Sequence, residues 1–128
     1  MAPSTVLLID SDTDSVTIYS LILRHHGYKV YHALDGATGL EMAFEMRPDV
    51  VISELFMPPV EGGSVLDRLR QDTRTAATPL IVLDSIPTFG WDRLESLGDL
   101  RRLTKPCEPS RLVQEVANVL EPRISVPH

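Results

Sequence analysis

Four short apolar runs in this chain lead directly into side chains that could share charge chemistry. The first closes on Asp10-Ser11, another on Glu54, the next on Asp84 and the last on Lys105. Three carboxylates and one ammonium gathered in one place would either hold a divalent cation or be neutralised internally by a Glu54–Lys105 ion pair, with some proton sensitivity. The most informative run is Pro48-Asp49-Val50-Val51-Ile52-Ser53-Glu54-Leu55-Phe56-Met57-Pro58, where a buried apolar stretch ends on one carboxylate just before a proline turn. Only two lysines occur, Lys29 and Lys105, so a lysine at such a place is hard to ascribe to composition.

The elements that would position these residues follow from periodicity. Strands are expected at 5–9, 29–32, 50–53, 80–83 and 101–103, in runs of β-branched or bulky apolar residues. Val16, Tyr19, Ile22 and Leu23 mark a helix that Gly27 stops. Leu40, Ala43 and Phe44 mark a second, which must end before Pro48. Leu66 and Leu69 follow Gly62-Gly63 in a third. Leu112, Val113, Val116 and Leu120 form the last, opened by Pro109-Ser110 and stopped before Pro122. Between Asp84 and Asp99 the breaker-rich Ile86-Pro87-Thr88-Phe89-Gly90 defers a short fourth helix to about Trp91. Strands alternating with helices need crossover connections, so the fold class is α/β: a doubly wound, five-stranded parallel sheet with helices on both faces. In such a sheet the working crevice lies beyond the carboxyl ends of the strands, which is where Asp10, Ser11, Glu54, Asp84 and Lys105 fall.

At 128 residues, 43% hydrophobic and 23% charged, the chain reads as one domain (1–128), long enough to bury about two-thirds of its unfolded surface. Its core is expected over about residues 5–120, with 121–128 a tail or the start of a linker. Eighteen acids against twelve bases leave a net charge of −6, which argues against nucleic acid or an anionic membrane as a direct partner. Cys107 has no second cysteine to pair with, no run reaches the length of a membrane span, and Met1-Ala2-Pro3-Ser4 has no signal-peptide pattern. A cytoplasmic location and a protein or small-ligand partner are the expectations.

The frame resembles the receiver domain of bacterial two-component response regulators. The resemblance rests on Asp10 closing the first run, Pro48-Asp49 ahead of Glu54, Met57-Pro58 followed by Glu61-Gly62, the Pro79 strand ending at Asp84, and Lys105-Pro106. It covers about Thr5 to Leu120 and implies a flavodoxin-like sheet of strand order 2-1-3-4-5. Carried over by position, it makes Glu54 the equivalent of the phosphoryl-accepting aspartate. Asp10, Glu54 and the backbone carbonyl of Phe56 become the Mg²⁺ ligands, and Ser11 stands where a second carboxylate ligand belongs, so the metal site is weakened or lost. Asp12, one residue on, reads as the cap of the following helix.

The same resemblance assigns the switch hydroxyl to Asp84 and the switch aromatic to Arg102, so neither moving part keeps its usual chemistry. Strand parity would put Ser85 on the face away from Asp84. Glu54 is one methylene, about 1.5 Å, longer than aspartate, and a misplacement of about 1 Å can cost roughly 100-fold in rate. Its carboxylate is therefore expected to act as a permanently charged mimic of the modified state, in a phosphorylation-independent module without enzymatic activity. The partner would be a sensor kinase, an output domain, an adaptor or a second copy, met through the fourth helix, fifth strand and last helix, where Phe89, Trp91, Arg101 and Arg102 supply interface-type residues.

Two other readings stay open. Glu54 could accept phosphate inefficiently from a histidine kinase. Alternatively, Asp10-Ser11-Asp12-Thr13-Asp14 superficially resembles the Asp-x-Asp motif of haloacid-dehalogenase-type phosphatases, although that family has a threonine where Asp14 stands. His25 and His26 suit the negative end of a helix, and Tyr28, Tyr31 and Cys107 read as packing residues.

Overall fold

A computed structural model describes residues 2–85, 97, 98 and 100–120. The expected fourth helix, with Phe89 and Trp91, and the tail 121–128 lie outside the described residues. Within them the chain runs β1 (Thr5–Ile9), α1 (Thr13–His25), β2 (Lys29–Ala33), α2 (Gly36–Met46), β3 (Val50–Glu54), α3 (Val65–Gln71), β4 (Leu80–Asp84), β5 (Leu100–Thr104) and α4 (Pro109–Leu120), the last being the expected C-terminal helix. The strands form one parallel sheet in the order β2-β1-β3-β4-β5, as the resemblance implied.

Alternation along the strands divides the core into two layers. Val6, Leu8, Val50, Ile52, Ile81, Leu83 and Leu103 face α1 and α4, where they meet Val16, Leu23, Leu112 and Val116. Leu7, Ile9, Val51, Leu80 and Val82 face the other way, against Leu40 and Ala43 of α2 and Leu66 and Leu69 of α3. Burying each such side chain contributes about 1.5–3 kcal/mol, and the central strands are apolar on both faces because helices cover both. α2 lies so close to β1 that a β-carbon on Gly39 would stand 2.7 Å from Ile9 Cδ1.

Side-chain caps set the helix starts. Asp12 accepts from Asp14 N, Asp35 from Thr38 N, and Ser64 from Asp67 N. Each satisfies a backbone donor that the first turn leaves without an intrahelical partner. Gly27 ends α1 with φ +92° while its N–H donates to the Arg24 carbonyl, a left-handed stop that a glycine makes without steric cost.

Candidate functional site

The pocket forms at the carboxyl ends of β1, β3 and β5. Asp10, Glu54 and Lys105 share the parity of Leu8, Ile52 and Leu103, so all three emerge on the α1/α4 side of the sheet. Asp10 is fully buried. Its Oδ1 accepts the Asp12 N–H at 2.8 Å and its Oδ2 lies 2.6 Å from Lys105 Nζ. Glu54 Oε2 is 3.7 Å from the same nitrogen, so the ammonium bridges two carboxylates and sits closer to Asp10. The expected Glu54–Lys105 ion pair is thus present but shared: Asp10 is the lysine's nearer partner, buried against it, while Glu54 keeps some contact with solvent.

Ser11 Oγ donates to Glu54 at 3.2 Å to Oε1 and 3.4 Å to Oε2. A serine at the place of an acidic ligand thus turns a repulsive neighbour into a donor. Burial, then the hydrogen bond and charge of Asp10, push the Glu54 carboxyl up to about 7, while Lys105 and Ser11 oppose the rise. A group with that pKa is shared between its two protonation states near neutrality, so the expected permanent charge is not what the pocket provides.

Asp84 is also fully buried, but its side chain has the parity of Leu80 and Val82, on the opposite side of the sheet. There it forms an ion pair with Arg102 of β5. Asp84 therefore stands apart from the pocket carboxylates. Arg102, with its side chain 8% exposed, is withdrawn from the surface on which it was expected to meet a partner, whereas Arg101 is exposed. Ser85, expected to point away from the site, instead lines a cavity of about 480 Å³ together with Glu54, Phe56, Tyr19 and Lys105. Parity from Leu83 would have placed it there.

The donor set fits Mg²⁺ poorly. Both oxygens of Asp10 are already engaged, by the Asp12 amide and Lys105, and Ser11 offers its hydroxyl to Glu54. Among the described residues no group of three or more His, Cys, Asp or Glu could hold a metal ion. Hard divalent cations need several free anionic or carbonyl oxygens. Asp12 caps α1, also accepting from Ser15 Oγ at 2.7 Å, which holds its carboxyl below the usual range. Its side chain is committed to the helix and away from acid–base work beside Asp10.

Cys107 is half-buried, and its sulfur and carbonyl lie 3.4 and 3.3 Å from the Tyr19 hydroxyl. Burial and this cysteine raise the phenol to about 12, so Tyr19 remains neutral at the cavity wall. The Lys105–Pro106 peptide bond is cis. No described helix is long and apolar enough to cross a membrane.

This geometry agrees with the relatives of the chain. The family model for the response regulator receiver domain matches residues 6–117. The DNA-binding dual master transcriptional regulator RpaA of Synechocystis is 32% identical over 95% of the chain and 51% of its own length. PilH of Pseudomonas aeruginosa is 28% identical over 90% of the chain and 96% of its own length. The chain thus spans about half of RpaA and nearly all of PilH. Among solved structures, chemotaxis protein CheY4 of Vibrio cholerae superposes with a TM-score of 0.81 at 27% identity, covering 93% of this chain and all of that one. A response regulator from Chloroflexus aurantiacus gives a TM-score of 0.81 at 30% identity, over 92% and 98% of the two chains. With the family model matching residues 6–117 and the strands ordered β2-β1-β3-β4-β5, the chain belongs to the response regulator receiver domains of two-component signalling.

Proposed function

We propose that this receiver works without an acylphosphate, acting by protein–protein contact with a pocket that is neutralised from within. The observation that carries this reading is the position of Lys105, 2.6 Å from Asp10 and 3.7 Å from Glu54. The cation that a phosphoryl group would need is committed to carboxylates, and Ser11 provides no second anion for a metal. Phosphoryl transfer depends almost wholly on positioning and charge stabilisation, so a longer acceptor without a metal cradle loses both.

The partner face is the exposed side of β5 and α4 with Arg101; Phe89 and Trp91, which the sequence assigns to it, lie outside the described residues. A sensor kinase, an output domain, an adaptor or a second copy would be met there in the cytoplasm. The domain itself would make no contact with nucleic acid and carry no enzymatic activity. Slow phosphorylation of Glu54 is the competing reading, favoured by Ser85 and Lys105 lining its cavity. Intact-mass analysis after incubation with acetyl phosphate and Mg²⁺ separates the two: an unchanged mass supports the proposal, and an adduct mapped to Glu54 overturns it.

A further inference from the structure

A groove of about 340 Å³ runs between α1 and the outer strand β2, on the side of the sheet away from β5. Large apolar side chains stand open along it and beside it: Leu21 is 69% exposed, Ile18 51% and Leu34 45%. Val30, His32 and Leu34 share one parity, and α1 covers Val30 while leaving the other two uncovered. Ser20, only 3% exposed, lines the groove with a hydroxyl that finds no partner. A buried hydroxyl without a partner costs the fold free energy. Clustered exposed apolar residues with a polar rim are typical of interaction sites.

Charge decides what fits. The chain carries −6 overall, yet no acid occurs between Asp14 and Asp35, a stretch that holds Arg24, His25, His26, Lys29 and His32. Lys29 lies over the Tyr31 ring, which packs on the opposite side of the sheet, so the groove's own donors are Arg24 and His32, with His25 and His26 at the adjoining helix end. Arg24 Nη2 donates to the Val30 carbonyl at 3.0 Å, a neutral acceptor that leaves its charge uncompensated. The same bond covers part of the outer edge of β2 and discourages an added strand. Asp14 and Asp35 stand toward the other end, and Asp35 is occupied by Thr38.

We infer that this groove docks an acidic amphipathic helix of a partner protein, with its apolar side chains between Leu21 and Leu34 and its carboxylates over Arg24 and His32. Helix-in-groove recognition uses apolar anchors at three- and four-residue spacing, and the surrounding charges select the partner. The site is separate from the Glu54 pocket and from the β5/α4 face, so its fate does not depend on theirs.

The test is a chemical-shift titration of the whole isotope-labelled chain with two synthetic helices of about 15 residues. One carries leucines at helical spacing with glutamates elsewhere, and the other has lysines in place of the glutamates. The glutamate peptide is expected to shift Ser20, Leu21, Arg24, His32 and Leu34, and Leu21→Glu should weaken it at least about tenfold while leaving the melting temperature unchanged. Leu34→Glu provides the same reading if Leu21→Glu disturbs the fold. No shift up to about 1 mM peptide, shifts confined elsewhere, or an equal response to the lysine peptide would overturn the inference. So would preferential binding of phosphatidylglycerol vesicles through these residues, which would make the groove a lipid site.

Discussion

The Arg102 guanidinium closes on the Asp84 carboxylate across two neighbouring strands, with Asp84 fully buried and Arg102 nearly so. Strand register places Arg102 opposite Val82, so the two charges meet on a diagonal along one side of the sheet. They occupy the positions at which the family resemblance assigns a mobile hydroxyl and a mobile aromatic ring. A buried ion pair resists movement, because separating its members leaves each charge without its counterpart. Removing one partner of such a pair typically costs about 3–5 kcal/mol, whereas replacing both with apolar residues is often close to neutral. Asp84→Ala and Arg102→Ala should therefore each destabilise strongly, and Asp84→Leu with Arg102→Met should recover most of the loss. A double-mutant cycle by urea denaturation measures this; additive single effects would mean that the pair is not coupled.

Glu54 makes stability depend on pH in a defined direction. Its carboxyl rises from an ordinary 4.5 to about 7 on folding, so the native state holds more protons than the unfolded chain between those values. Stability then falls as pH rises through that window. Glu54→Gln removes the ionisation and should melt several degrees above the parent at pH 8, since about 1 kcal/mol moves a domain of this size by roughly 4 °C. The advantage should shrink to nothing by about pH 4.5. An advantage that stays constant with pH, or grows on acidification, would contradict the assigned shift.

Gly39 tests how tightly α2 is held against the sheet. A β-carbon there would meet three side-chain atoms of Ile9 at 2.7–2.9 Å, and Ile9 is itself fully buried. Alanine has the better helix propensity by about 1 kcal/mol, so an unconstrained site would be stabilised by the change. Overpacking costs about 1–3 kcal/mol, and Gly39→Ala is expected to lower the denaturation midpoint. A raised midpoint would show that α2 can move outward freely.

How much of this was legible in the sequence depended on the range of the interaction. Apolar periodicity and breakers placed the described strands to within a residue or so, because alternation and the Gly27 stop are local. The meeting of Asp10, Glu54 and Lys105 followed from strand ends alone. The partition of charges did not, although the information was present: counting parity from Leu83 and Leu103 separates Asp84 and Arg102 from the pocket and brings Ser85 into it. The raised Glu54 carboxyl depends on burial and on the approach of Asp10, which are distances between strands that sequence spacing does not contain. The open groove beside Leu21 was likewise invisible, since a leucine in a helical pattern reads as core until the covering element is known.

If Ser11 and Glu54 are what disable phosphoryl chemistry, reversing them should restore it in proportion. Glu54→Asp alone shortens the acceptor but leaves one acidic ligand held by Lys105, so Mg²⁺ binding should remain weak. Ser11→Asp alone adds an anion beside Glu54 and Asp10, which should raise the Glu54 carboxyl further and still present it at the wrong reach. The double variant supplies two carboxylates for the cation and an acceptor of the family's length, satisfying the few-carboxylate, oxygen-rich coordination that Mg²⁺ favours. Isothermal titration with Mg²⁺ and intact mass after acetyl phosphate treatment should register uptake and an adduct in the double variant, with at least about a 100-fold gain in labelling rate over the parent. Because the Asp84–Arg102 pair is untouched, the labelled protein should show shift changes around the pocket and none propagated to Arg101. Labelling of the parent at the rate of the double variant would mean that neither residue is the obstacle.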